Sequence, residues 1–279
     1  MNTTYSFTKM QGCGNDYVYI DCRTGFPAAL PGHIPFLADR HFGVGADGVI
    51  CICAAQGKAD ARMRMFNADG SEGRMCGNGV RCVAQWLYEH GLKQDTLCLE
   101  TLAGVKVLHR TAPGMWRVDM GPASFDPASL PASGFVCPAV EVPLAAAGKT
   151  WSTTLVSMGN PHCVVQVEDV KGMDLPGIGR AFETHPAFAE GVNTEFIRFI
   201  SPTELEMRVW ERGSDETFAC GTGACAAAAA FVQRGLCPAN TEITVHLRGG
   251  DLSICVTGET VWMTGPAVTV FEGTITVYE

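Results

Sequence analysis

Several things are scarce in this sequence. Charged residues are only 18% of the chain, and the balance is acidic: 29 Asp and Glu face 20 Lys and Arg, a net charge of −9. The sequence pI is near 5.3. Nucleic acid and anionic membrane both call for a basic face, so neither is expected as a partner, and a small-molecule substrate remains. No apolar run reaches the ~18 residues of a membrane span. The opening Met1-Asn-Thr-Thr-Tyr-Ser-Phe-Thr-Lys lacks the apolar segment of a secretion signal. No two cysteines stand as Cys-x-x-Cys, and the seven histidines show no ligand spacing, which argues against a zinc centre. No glycine-rich stretch ends in Gly-Lys-Ser/Thr, which argues against a phosphate loop.

What is present points to globular chemistry. The chain has 279 residues and 47% hydrophobic content, enough for one large or two ordinary domains with a sizeable core. Its 13 cysteines are odd in number and scattered, unlike a secreted disulfide framework. A reducing cytoplasm is the expected setting, with thiols free to react.

One stretch occurs twice. Met63-Arg-Met-Phe-Asn-Ala-Asp-Gly-Ser-Glu-Gly-Arg-Met-Cys76-Gly-Asn-Gly is answered by Met207-Arg-Val-Trp-Glu-Arg-Gly-Ser-Asp-Glu-Thr-Phe-Ala-Cys220-Gly-Thr-Gly. The offset that carries Cys76 onto Cys220 also carries Arg64 onto Arg208, Glu72 onto Glu216 and Gly91-Leu92 onto Gly235-Leu236. Each copy reads as a strand, a polar turn, then Cys-Gly-x-Gly opening a helix. Earlier in each half, Gly14-Asn15 and Gly159-Asn160 precede strands at nearly the same offset. A repeat this long is a duplicated domain, not a solenoid unit.

Between these landmarks the pattern alternates. A glycine-rich turn at Gly12-Cys-Gly-Asn leads into a strand at Tyr17-Val-Tyr-Ile. Pro31 to His41 reads as a short helix, Val49 to Cys53 and Ala61 to Phe66 as strands. Gly77 to His90 carries Val80, Val83, Ala84 and Leu87 at helical spacing and ends at Gly91. Strands follow near Leu97–Thr101, Val105–Arg110 and Trp116–Met120. Gly121 to Val142, rich in Pro, Ala and Ser, reads as a crossover between domains, part of it compatible with strand. Beyond it come strands from Thr153 to Val167, a helix at Arg180-Ala-Phe-Glu, and a loop and strand over Val192 to Ile200. The Ala224 to Val232 run is a buried helix. Three further strands cover Glu242–Arg248, Asp251–Val256 and Thr260–Thr264, and Ala267 to Tyr278 alternates as a last one.

A cysteine opening a helix meets backbone N–H groups with no intrahelical partner. Those groups and the helix dipole favour a thiolate, so the pattern predicts a lowered thiol pKa at both Cys76 and Cys220. The glycines at 77, 79, 221 and 223 let a ligand approach the backbone, and a carboxylate suits the same N–H groups. One thiolate and one thiol flanking a carbon α to a carboxylate can remove a hydrogen from one face and return a proton to the other. Most other cysteines, including Cys51, Cys53, Cys82, Cys163 and Cys255, read as small buried hydrophobes. The neighbouring polar residues stay open on this reading. Asn15 and Asn160 suit Gly-Asn turns in any case. Asp69 and Ser71 suit a turn, Glu211-Arg212 an exposed pair, and His162 a packed strand end.

At these residues the chain resembles the diaminopimelate epimerase family. The resemblance runs through Lys9-Met-Gln-Gly-Cys-Gly-Asn-Asp-Tyr-Val, Asp39-Arg-His-Phe-Gly-Val-Gly-Ala-Asp-Gly, Phe66-Asn-Ala-Asp-Gly-Ser-Glu, Met75-Cys-Gly-Asn-Gly-Val-Arg-Cys, Ser157-Met-Gly-Asn-Pro-His-Cys-Val, Gly191-Val-Asn-Thr and Trp210 to Cys225. It implies an α/β (α+β) fold of two pseudo-symmetric domains, 1–120 with 267–279 and 121–266. Each would be a mostly antiparallel or mixed sheet curled around a central helix, with the active site in the interdomain cleft. It implies epimerisation of LL-2,6-diaminopimelate to the meso form, with Cys76 and Cys220 as acid and base and no cofactor or metal. Gly77, Asn78, Gly221 and Thr222 would cradle the α-carboxylate. Asn67, Asn160, Asn193, Glu211 and Arg212 would hold the distal amino-acid end, with Asn15 nearer the reacting carbon and His162 and Glu211 tuning the chemistry.

Three positions depart from the family pattern. Gln11 stands where His is frequent, Asp215 where Gly is usual, and Gly48 where some members carry a substrate-contacting Gln, which suggests a wider pocket. Asp215 would favour a cationic substrate group or face solvent. Two rival readings remain: a racemase of another amino acid on the same two-cysteine plan, and a thiol–disulfide redox protein using both cysteines as a dithiol. The expected partner is a small-molecule amino acid. A homodimer is compatible with the sequence.

Overall fold

The structure, a computed structural model, describes residues 2–278. Met1 and Glu279, which the sequence reading places in the N-terminal domain, lie outside the described residues. The chain divides into two compact units. One holds the chain up to Val118 and again from Gly265; the other is Asp119–Thr264.

The first unit begins with a hairpin of β1 (Thr3–Gly12) and β2 (Asn15–Cys22), in which Gly12 pairs with Asn15. Only Cys13 and Gly14 make the turn, with φ of 53° and 79°. Two successive positive φ values match the twist of the flanking strands, and glycine takes the second at no steric cost. Helix α1 (Leu30–Ala38) then crosses to β3 (Gly48–Cys53), which lies parallel to β2. All six residues of β3 are buried, as expected of an inner strand covered on both faces. On one face Leu30, Ile34 and Leu37 of α1 pack with Val18, Ile20, Val49 and Cys51. Antiparallel β4 (Ala61–Asn67) follows, with a two-residue β5 (Glu72–Gly73) paired to its end. Helix α2 (Gly77–Glu89) leads to β6 (Thr96–Thr101), which joins β4 in parallel. The meander β7 (Gly104–Ala112) and β8 (Met115–Asp119) completes this stretch. The last strand of the chain, Val268–Val277, pairs with β1.

The second unit repeats this order. The strands β9 (Val142–Ala146), β10 (Lys149–Ser157) and β11 (Pro161–Val167) are antiparallel. Helix α3 (Leu175–Glu183) crosses to β12 (Asn193–Ser201), parallel to β11. Then come β13 (Glu204–Glu211) and the short β14 (Asp215–Glu216). Helix α4 (Gly221–Gln233) leads to β15 (Glu242–Leu247), parallel to β13. The antiparallel β16 (Gly250–Val256) and β17 (Val261–Pro266) follow. Trp151, Phe182 and Phe196 meet edge-to-face in the core, with ring centroids 5.3–6.0 Å apart.

In both units the cysteine-led helix is the central one. Every residue of α2 from Gly77 to Leu87 is buried. In α4 the buried run from Gly223 to Phe231 is mostly alanine, so the surrounding strands approach the helix closely. A helix buried all round needs apolar or internally satisfied side chains. On α2 the buried polar side chains are Asn78, Gln85 and the charged Arg81. Its guanidinium is satisfied by the carbonyls of Pro266 and Gly77 and by Asn78 Oδ1, at 2.9–3.2 Å.

Three sequence expectations are corrected. Helix α1 stops at Ala38 rather than His41, because the Asp39 carboxylate accepts from the N–H groups of His41 and Phe42 at 2.7 and 2.8 Å. That turn competes with the helix for its own backbone donors. Helix α3 starts at Leu175, well before Arg180. Asp174 caps it by accepting from Gly177 N, and Pro176 sits in its first turn. The stretch from Gly121 to Val142 is not a free crossover. It holds a 3-10 turn at Pro127–Ser129, bridges Ser124 to Ser157, and buries Leu130 and Ala139 in the core of the second unit.

Candidate active site

Cys76 and Cys220 are the N-cap residues of α2 and α4. Each has extended backbone, and each sulfur accepts from the N–H three residues on: Gly79 N at 3.4 Å, Gly223 N at 3.3 Å. Sulfur thus replaces the usual capping oxygen. The N–H groups of Gly77 and Asn78, and of Gly221 and Thr222, belong to the same first turns, where a carboxylate is favoured. The later glycines have another cause. A Cβ on Gly79 would lie 2.6 Å from Ile50 Cδ1, and one on Gly223 would lie 2.6 Å from Glu195 Oε1. Protein, not ligand, fills the space beside them, which corrects the expectation that all four glycines serve ligand approach.

Around Cys76, the Sγ donates to Asn15 Oδ1 at 3.2 Å. Asn78 is buried and bonds Arg81 through Oδ1, with Nδ2 3.5 Å from the same Asn15 oxygen. Asn15 Nδ2 donates to Asp47 Oδ2 at 2.6 Å. Asp47 also accepts from Asp16 N and Arg40 Nη2, while Asp16 pairs with Arg40 and with Lys9. Burial, then the charge of Asp16, raises the Asp47 carboxyl above its ordinary value. Burial acts upward on Asp16 too, but hydrogen bonds from Arg40 and Lys9 leave it below its ordinary value. Tyr17 lies beside Cys76. Burial and that neighbour push its phenol well up, so it stays neutral. Asn67, at the end of β4, instead closes the Asp69–Ser71 turn by donating to Ser71 Oγ at 2.9 Å.

Around Cys220, a chain of polar contacts runs inward. Its Sγ is 3.5 Å from Thr222 Oγ1, which accepts from Asn160 Nδ2 at 3.2 Å. Asn160 Oδ1 meets His162 Nε2 at 3.0 Å, and His162 Nδ1 meets Glu195 Oε1 at 2.7 Å. His162 and Glu195 are fully buried. Glu211 accepts from Thr217 and from Cys220; burial raises its carboxyl above the ordinary value. Burial, then the charges of Glu211 and Glu195, raises the Cys220 thiol well above its own. This reverses the expectation of a lowered pKa at this helix start: burial, and after it two nearby carboxylates, outweigh one helix dipole. Asn193 is buried. It donates to Pro161 O at 2.8 Å and accepts from Arg212 N at 2.9 Å. The Arg212 guanidinium reaches Glu190 O at 2.9 Å and stays 38% exposed.

The three departures have structural readings. Gln11 Oε1 accepts from Gly14 N and so closes the hairpin ahead of Asn15. Gly48 does not leave open space: a Cβ there would lie 2.1 Å from Phe66 O of the paired strand. The wider pocket expected at that position is therefore corrected, since backbone occupies it. Asp215 is exposed, with φ of 56°, a conformation Asp accepts better than most residues. Sequence reasoning missed Glu195, Asp47 and Tyr17. The signal for Glu195 was a carboxylate directly before the apolar pair Phe196-Ile197, in the buried half of its strand.

The sequence model described as Diaminopimelate epimerase matches residues 7–126 and 154–270. A diaminopimelate epimerase of Agathobacter rectalis is 46% identical over 288 residues, covering 97% of this chain and 99% of that one. One from Synechococcus is 47% identical, covering 98% and 99%. Among solved structures, a phenazine biosynthesis protein of the PhzF family from Bacillus anthracis aligns with TM-score 0.74 at 16% identity, covering 98% and 99% of the two chains. A hydroxyproline epimerase from Agrobacterium vitis aligns with TM-score 0.68 at 16% identity, covering 98% and 91%. Likeness at such identity speaks for the fold alone.

Proposed function

The chain belongs to the diaminopimelate epimerase family, and we propose that it interconverts LL- and meso-diaminopimelate by a two-thiol mechanism, with Cys76 and Cys220 as acid and base. The product feeds lysine and peptidoglycan precursor synthesis. The observation that carries this reading is the duplication of a sulfur-capped helix start, once in each unit, with distinct polar partners at each sulfur.

A carboxylate bound at first-turn N–H groups of α2 and α4 has its developing negative charge met by fixed donors. A thiolate then takes the α-hydrogen: the C–H bond breaks, an S–H bond forms, and the electron pair passes towards the carboxylate. The other thiol gives its proton to the opposite face, restoring a C–H bond and becoming the thiolate. Cys220 reaches its thiolate by passing its proton to Glu211, whose carboxylate accepts from it. Asn67, Asn160, Asn193 and Arg212 hold the distal end. The setting we propose is the cytoplasm, where free thiols persist. No helix among the described residues is long and apolar enough to cross a membrane.

The test is solvent isotope incorporation. In D2O, starting from one diastereomer, the first product carries deuterium at the α-carbon, because the donor thiol exchanged before substrate bound. Remaining substrate stays largely protiated. A single base swinging between faces would instead return original hydrogen to product. Alanine at either cysteine abolishes inversion, since the two act as a unit. Product that keeps its α-hydrogen, or near-normal epimerisation by Cys220→Ala, refutes the mechanism.

A further inference from the structure

The side-chain amide of Asn15 has nearly the same shape either way round, but the two orientations offer Cys76 opposite chemistry. A carbonyl oxygen favours the protonated thiol; an NH2 group favours the thiolate. Asn78 Nδ2, 3.5 Å from the Asn15 oxygen, favours one way round, and Asp47 makes the shorter contact, at the other end of the amide. Its Oδ2 takes Asn15 Nδ2 at 2.6 Å and the Asp16 backbone N–H at 3.1 Å, while its Oδ1 takes Arg40 Nη2 at 2.8 Å. A carboxylate with donors on both oxygens has no proton to give, so the Asn15 atom that meets it is the NH2. The carbonyl oxygen is thereby turned to Cys76 Sγ, 3.2 Å away. The carboxylate is itself fixed, because Arg40 also grips Asp16 at 2.8 and 3.2 Å and Lys9 holds Asp16 at 2.6 Å.

We infer that Asp47 is a positioning residue which, through Asn15, holds Cys76 as a hydrogen-bond-donating thiol before substrate binds. The inference rests on the reading of Cys76 as an acid/base group and deepens it. Cys220 rests against a carboxylate, Glu211, and Cys76 against a neutral amide that a carboxylate orients. The duplicated thiols are therefore not interchangeable at rest, although the reaction uses both.

The test reads the thiol and not turnover. Iodoacetamide reacts with the thiolate, so its rate at each cysteine follows the thiolate fraction. Full-length protein is alkylated at pH 7, and the rates at Cys76 and Cys220 are mapped by peptide mass. Asp47→Asn is isosteric at a side chain 40% exposed, so the fold is retained. An amide at 47 can both give and accept, and Asn15 is freed to turn. Cys76 then reacts about tenfold faster, the effect of a one-unit fall in thiol pKa, while Cys220 is unchanged. Asp47→Glu, which can only accept, restores the slow rate. In an Asn15→Ala background Asp47→Asn adds nothing. The inference is overturned if Asp47→Asn leaves the Cys76 rate unchanged, if both cysteines speed up together, or if Asp47→Asn still acts without Asn15. Failure of the two-thiol reading shows separately, as epimerisation that survives Cys76→Ala.

Discussion

Removing the His162 imidazole strands a charge, and the size of the effect follows from its surroundings. The ring and the Glu195 carboxylate have no exposed surface, and 2.7 Å separates Nδ1 from Oε1. Glu195 Oε2 has no hydrogen-bond partner among the described residues, so the contact with His162 is the compensation this carboxylate has. His162→Ala removes it from one side. Breaking a buried pair in this way costs about 3–5 kcal/mol. At roughly 2–4 °C per kcal/mol for a domain of this size, the melting temperature falls by about 6–20 °C. Adding Glu195→Gln removes the stranded charge, and about 1–3 kcal/mol returns. Activity follows a different course. His162 Nε2 also steadies Asn160, which bonds the Thr222 hydroxyl beside Cys220. Both the single and the double variant lose kcat, whereas only the single variant loses the full stability. Urea unfolding and initial rates on the same preparations separate the two effects. A His162→Ala loss under about 1 kcal/mol, the worth of an exposed pair, refutes the argument. So does a double variant less stable than the single one.

Three further outcomes are expected. Gly223→Ala sets a methyl 2.6 Å from Glu195 Oε1; it should cost about 1–3 kcal/mol in chemical denaturation and lower kcat by displacing the carboxylate from His162. Lysine lacks the distal carboxylate that the half-exposed Arg212 and its neighbours are proposed to hold, so its kcat/KM should fall about fivefold or more below that of diaminopimelate, a solvent-screened charge pair being worth about 1 kcal/mol; comparable values would remove the assignment. If both thiols flank one α-carbon as proposed, mild oxidation should join Cys76 to Cys220 and abolish activity until a reductant is added, and peptide mapping that finds both as free thiols in the inactive protein counts against this.

The local part of this protein is legible in its sequence. Two Cys-Gly-x-Gly helix starts, a Gly-Asn turn ahead of a strand in each half, and alternating apolar patterns depend on residues a few positions apart. Neighbouring residues alone set a cap, a hairpin turn or a strand face. The duplicated strand order and the burial of the alanine-rich helix were readable for that reason; burial of α2 on every side was not. What lies between distant positions was not. Asp47 meets Asn15 because β3 and the loop before it lie beside β2, and Glu195 meets His162 because parallel pairing of β12 with β11 sets them on one face, two positions apart in register. The same holds for Gly48, whose neighbour is the carbonyl of a paired strand, and for the Pro-rich stretch after Gly121, whose Leu130 and Ala139 find a core. The thiol of Cys220 makes the division plainest. Its place at a helix start is written in the sequence and favours a thiolate. Desolvation and two converging carboxylates exist only in the folded chain, and at short range in a buried site they are stronger than the dipole.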